Sequence, residues 1–155
     1  MLNLITDRTA ADVNRWKMLH DKGWEAMTAA EQAEWLKGMK GSYNHTDMNR
    51  VESAVRELTV RFKAKGITLP VSTKTDWTQT SWPTKNDMGR YFENVAVIRE
   101  AVGLDLGTPT APNTAVSFDY KKANDIETIL AAVDTWLDRI EMAQMYSGDL
   151  YLGEV

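Results

Sequence analysis

The chain of 155 residues contains no cysteine. That removes disulfides, zinc–thiolate sites, iron–sulfur clusters and thiol nucleophiles together. Proline is scarce, with four in the whole chain, at positions 70, 83, 109 and 112. Long apolar runs are missing too: nothing approaches the roughly 20 residues that span a bilayer, so no membrane span is expected. The opening MLNLITDRTAADV lacks a basic flank, and its apolar run is too short for a signal peptide. A basic excess is also lacking. Lys+Arg 18 against Asp+Glu 22 gives a net charge of −4, which argues against a generic nucleic-acid or anionic-membrane binder. What remains reads as one soluble domain of intracellular type, long enough to bury a core without staples.

The charge is divided unevenly. Residues 1–66 carry 11 basic and 9 acidic side chains, and residues 67–155 carry 7 and 13. Either this is chance over a mixed surface, or copies associate with the first half of one near the second half of another.

Caps and periods predict five helices. The first opens at Asp7 or Thr9, places Val13, Trp16 and Leu19 or His20 on one face, and stops at Gly23. Thr28-Ala29-Ala30-Glu31 has the pattern of a capping box and starts a short helix to about Lys37. From Thr46 the apolar residues Met48, Val51, Val55, Leu58 and Phe62 recur in steps of three and four, and Gly66 closes the segment. On its outer face, Glu52 with Arg56 and Glu57 with Arg61 form i, i+4 pairs in the favourable order. A fourth helix starts at Thr84, with Met88, Tyr91, Phe92, Val95, Ile98 and Val102 as its stripe and Gly103 as its end.

The fifth begins between Asp119 and Lys122. Its stripe of Ile126, Ile129, Leu130, Val133, Trp136, Leu137 and Ile140 is too broad for a two-helix seam, which predicts a central position. The expected architecture is therefore all-α: a bundle of about five amphipathic helices with two long loops, 67–83 and 103–118. All four prolines fall in these loops. Ile67, Leu69 and Val71 alternate, so a short strand, hairpin or extended arm is allowed there. Residues 1–145 are read as a single helical domain. The tail 146–155, alternating apolar with small or polar residues, is read as a C-terminal arm that docks on a neighbour or folds back.

His20 and His45 belong to no HExxH and to no pair at ligand spacing. His20 suits the negative end of a helix, and His45 reads as a loop residue ahead of a helix cap. No GxSxG elbow marks a serine nucleophile, and neither GxGxxG nor GxxxxGK[ST] occurs. No pair of carboxylates stands out for glycoside hydrolysis. No catalytic, metal-binding or cofactor-binding residue is expected, and a wall hydrolase of helical type ranks last. Asn44-His45-Thr46 matches a glycosylation sequon but reads better as a turn and helix cap.

The six tryptophans divide by context. Trp16, Trp35 and Trp136 lie on helices and suit core packing, while Trp24 suits the corner after Gly23. Trp77 and Trp82 share a polar loop, Lys74 to Pro83. With Tyr43 they are the candidate residues for stacking on a sugar or anchoring a protein partner. The alternative is that both rings fold inward with their indole N–H groups bonded to carbonyls. Asn44, Thr46, Asp47, Asn49 and Arg50 suit a structural network, with Asn49 and Arg50 tying the helix start to the adjoining helix corner.

Several strings resemble a small module of structural proteins encoded by phages and prophages of Gram-positive bacteria. They are Leu4-Ile5-Thr6-Asp7-Arg8-Thr9-Ala10-Ala11-Asp12-Val13, Gly23-Trp24 with Thr28-Ala29-Ala30-Glu31 and Trp35, and Gly41-Ser42-Tyr43-Asn44-His45-Thr46-Asp47-Met48-Asn49-Arg50-Val51-Glu52. Trp82-Pro83 leading to Asp87-Met88 and Tyr91, Ala123-Asn124-Asp125-Ile126-Glu127, and Ser147-Gly148-Asp149 complete the likeness. The resemblance implies a virion- or tail-associated protein with no named reaction. It implies residence in the host cytoplasm during assembly and then in the virion. The expected partners are copies of the chain or other virion and tail proteins, with cell-surface polysaccharide as the alternative and no nucleic acid.

Overall fold

Four helices begin on reciprocal capping boxes, a purely local device in which a side-chain oxygen satisfies an orphan N–H and an acid three residues on returns the bond. Thr9 with Asp12 starts α1 (Ala10–Lys22) and Thr28 with Glu31 starts α2 (Ala29–Lys37). Asn44 with Asp47 starts α3 (His45–Ala64), and Thr84 with Asp87 starts α4 (Lys85–Glu100). A single 3-10 turn, Trp24–Ala26, links α1 to α2. The fifth helix, α5 (Tyr120–Leu152), opens with Asp119 Oδ1 accepting from the Lys122 N–H at 3.0 Å.

The chain is known from a computed structural model that describes residues 2–103 and 107–152, with the side chains of 147–152 left aside. Among the described residues there are five α-helices and no strand. The all-α expectation holds, and no proline lies in a helix. Residues 146–152 of the expected arm continue α5 as helix, and 153–155 lie outside the described residues. No helix of the described residues is long and apolar enough to cross a membrane.

The core joins α3, α4 and α5. Val51, Leu58, Phe62, Ile98, Ile126, Ile129, Leu130, Val133 and Leu137 are wholly buried in it, so the predicted stripes of these helices do face one another. No side chain of α1 or α2 enters that cluster. These two helices instead form a hairpin at its side, with Trp16 stacked on Trp35 at 6.3 Å between ring centroids. Core packing therefore describes Trp136, which stacks on Phe62, better than it describes Trp16 or Trp35. Trp24 stays half exposed in the turn. His45 is corrected from loop residue to first residue of α3, because Asn44 and not Thr46 is the cap.

The predicted outer-face pairs of α3 do not form. Glu52 is buried and binds Arg90 of α4 at 2.7 Å. Arg61 reaches Asp134, Asp138 and Glu141 on α5. The buried acids Glu52 and Asp134 pair with arginines of other helices, in preference to the solvated i, i+4 pairs, because these cross-helix pairs are less screened.

Candidate functional site

Two extended segments, 2–9 and 67–83, lie along the helical core, and the way they are held concentrates most of the chain's buried polar chemistry. An extended backbone offers an N–H and a C=O that need partners. Here three asparagines supply both at once. Asn49 accepts from the Trp77 N–H and donates to the Trp77 carbonyl, both at 2.8 Å. Asn94 does the same to Ser72, at 3.3 and 2.7 Å. Asn124 does so to Arg8, at 3.0 and 2.8 Å. Each amide thus takes the place of a neighbouring strand's peptide group. Exposure alternates residue by residue from Leu69 to Trp77, so the expected period of two is present although no strand is.

The resembling centre, Tyr43 to Glu52, meets the first segment at a four-charge cluster. Arg8 Nη2 lies 2.9 Å from Asp47 and 2.7 Å from Glu127, and Arg50 Nη2 contacts the same two carboxylates at 2.5 and 2.8 Å. Glu127 is 0% exposed and Arg8 3%. Glu127 also accepts from the Ile5 N–H at 2.6 Å, while Arg8 donates to the Ile5 carbonyl at 2.7 Å. Two cations against two anions leave the cluster neutral, which makes burial of all four tolerable. Burial works against the charge on Arg50, but the bonds to Glu127 and Asp47 outweigh it and hold its pKa above the ordinary value.

Asp47 works twice here, since its other oxygen caps α3 through the Asn44 N–H. Thr46 serves only that cap, by bonding Asn44 through both its N–H and its hydroxyl. Of the five residues expected to form a network, Asp47 and Arg50 join the buried cluster, and Asn44 and Thr46 build the cap beside it. Asn49 belongs to the other segment. Arg50 thus ties α3 to the N-terminal segment and α5, and Asn49 ties it to the 67–83 loop.

From sequence alone Arg8, Asn94, Asn124 and Glu127 have no site role, and Glu52 pairs with Arg56 on an outer face. A signal existed for the acids: Glu52 and Glu127 each follow an apolar stripe residue directly and stand three before another, Val55 and Leu130, which puts them at the margin of a core-facing stripe.

Tyr43 lies over this cluster. Its ring meets Phe118 edge-on at 5.0 Å, the Arg8 guanidinium stands 5.5 Å from its centroid, and its hydroxyl bonds that of Tyr91. Burial pushes both phenols above their ordinary pKa. The other two candidate aromatics part company. Trp77 is buried in the core at 4% exposure, with its indole N–H unbonded rather than tied to a carbonyl as expected. Trp82 is 87% exposed. The structure therefore does not join Trp77, Trp82 and Tyr43 in one binding face.

A cleft that the sequence did not point to runs between the hairpin and α3. It measures about 470 Å³ and is lined by Trp16, Trp35, Tyr43, Asn44, His45 and Gln79, among others. A smaller cavity of about 270 Å³ lies on the other side of Tyr43, between Arg8, Phe118 and the start of α5. Among the described residues no group of three or more His, Asp or Glu is placed to hold a metal ion. The chain matches no family model, no curated protein and no solved structure.

Proposed function

We propose that this chain is a non-enzymatic building block of a phage or prophage particle, associated with the virion or tail and acting through protein–protein assembly. One observation carries the reading beside the sequence resemblance. Large apolar side chains stand in solvent on three separate elements: Leu36 on the hairpin, Trp82 in the 67–83 loop, and Met142, Met145 and Tyr146 near the end of α5. Meanwhile Asp47, Asn49 and Arg50 of the resembling centre are turned onto Arg8, Trp77 and Glu127 of the chain itself. Met145 and Tyr146, three and four residues after Met142 on one helix, form with it the kind of exposed apolar group that a partner surface covers. The partners in this reading are copies of the chain or neighbouring tail proteins, met in the host cytoplasm during assembly and retained in the virion.

Sedimentation and light scattering over a wide concentration range test it, together with binding assays against the proteins encoded beside it. Defined oligomers, or capture of a co-encoded tail protein, are expected. A strict monomer at high concentration with no such affinity overturns the reading. A surface-binding role for the 67–83 loop would rest on Trp82 alone, because Trp77 is buried.

A further inference from the structure

The cleft between the hairpin and α3 has a composition of its own. Trp16 and Trp35 stack at 16° between planes, and His20 stacks on Trp16 at 5.0 Å. The two indoles form one wall, and the polar turn at the start of α3 forms the other. No carboxylate lines it, and its ionisable members are Lys37, His45 and the Tyr43 phenol. Its volume of about 470 Å³ falls within the range of small-ligand sites, roughly 300–1,000 Å³.

Several hydrogen-bonding groups around it keep spare capacity. The Asn44 oxygen serves the α3 cap, which leaves its NH₂ donors without a partner. Gln79 and His45 make no side-chain hydrogen bond among the described residues. Ser42 and Thr46 each donate once, to Met39 and Asn44, and keep lone pairs to accept. Amide donors, hydroxyl acceptors and a flat indole face with negative charge above the ring are together complementary to a pyranose. A sugar ring presents hydroxyls that both donate and accept, and a face of polarised C–H groups.

We infer that this cleft binds a pyranose unit of a neutral or N-acetylated glycan, with Trp35, backed by Trp16, against the sugar face and Asn44, His45 and Gln79 on its hydroxyls. A proline-rich peptide is the rival occupant of an aromatic groove. Its binding is one of the outcomes that the titration below separates. Of the apolar residues that carry the assembly reading only Leu36 lines the cleft, and the inference gives it no role.

The test is a titration of the ¹⁵N-labelled full chain with cellotetraose, with the tetramer of N-acetylglucosamine, and with a proline-rich decapeptide. The indole N–H signals are assigned through Trp→Phe variants. Saturable shifts of the Trp16 and Trp35 signals with one of the sugars are expected, with Trp136, stacked on Phe62 in the core, unmoved. Gln79→Ala, outside every helix, and His45→Ala each weaken binding roughly fivefold or more while the spectrum stays dispersed. Trp35→Phe, which keeps a flat ring for the hairpin, weakens it as well. No shift at about 10 mM of either sugar, shifts that Gln79→Ala and His45→Ala leave intact, or shifts with the peptide alone overturn the inference.

Discussion

A carboxylate with no exposure is costly unless its neighbours neutralise it, and Glu127 has three: the guanidinium groups of Arg8 and Arg50 and the N–H of Ile5. Removing such a partner leaves two buried cations facing one remaining acid, a change that typically costs ~3–5 kcal/mol. Glu127→Ala is expected to lower the urea-unfolding free energy by that order. Arg8→Met added to it restores part of the loss, because the Arg50–Asp47 pair then balances by itself. A loss below about 1 kcal/mol would show that water, not the two arginines, meets this carboxylate.

Two glycines make the opposite test. A Cβ on Gly41 would stand 2.0 Å from the Asp12 carbonyl oxygen and 2.8 Å from the Val13 nitrogen. Backbone cannot move aside as a side chain can, so Gly41→Ala should destabilise by ~1–3 kcal/mol. Gly89 lies inside α4 with nothing within 4 Å of its would-be Cβ. Gly89→Ala should stabilise by ~0.5–1 kcal/mol, and thermal denaturation of both variants against the parent checks the two signs together.

At the scale of the element, helix starts were readable because a capping box needs only residues three apart in sequence. Thr28 with Glu31 and the Thr84 start were legible for that reason, and the stripes of α3, α4 and α5 because burial repeats with the helical period. Charge pairing was not legible. Arg61 meets acids more than seventy residues away, and Glu52 meets Arg90, while local spacing offered Glu57 and Arg56. The 67–83 segment showed its alternation, but the asparagines that replace a partner strand lie on helices, where an amide looks like ordinary surface. The aromatic cleft escaped notice because its walls come from three places in the chain.

The α2 start also carries a pH dependence. The Lys22 ammonium bonded to Glu31 at 2.6 Å, with the Thr28 cap, lowers Glu31 from 4.5 to about 2. A carboxylate whose folded pKa is depressed stabilises above its unfolded pKa and loses that contribution as the pH falls through the folded one. The stability gap between the parent and Glu31→Gln should therefore be constant near neutrality, shrink from about pH 4.5, and close towards about pH 2. Melting temperatures of the two proteins across that range measure it, and a gap that widens in acid would contradict the Lys22 contact.

The whole molecule divides into a core that closes on itself and a hairpin attached beside it. The core holds α3, α4 and α5 together by wholly buried side chains, and the two extended segments are clamped to it by amides and charges. Within the hairpin, the links between α1 and α2 include Arg15–Glu34, at about two-fifths exposure, and Lys22–Glu31. Beyond it, Lys40 reaches Asp7 and Gly41 touches the backbone of Asp12. Exposed ion pairs of this kind contribute about 0–1 kcal/mol each, whereas separating the core helices exposes its large apolar side chains to water.

Opening the hairpin should therefore need less free energy than global unfolding, and amide hydrogen exchange reads that difference directly. Peptides covering Ala10–Lys22 and Ala29–Lys37 are expected to exchange well before those from the buried stretches of α3, α4 and α5. Gly41→Ala should widen the interval by loosening the seam without touching the core. Equal protection of hairpin and core would mean one cooperative unit, and the Trp16–Trp35 wall would then be as rigid as the core it adjoins. An earlier-opening hairpin instead makes the cleft adjustable, so that a ligand bound across it should slow exchange in α1 and α2 selectively.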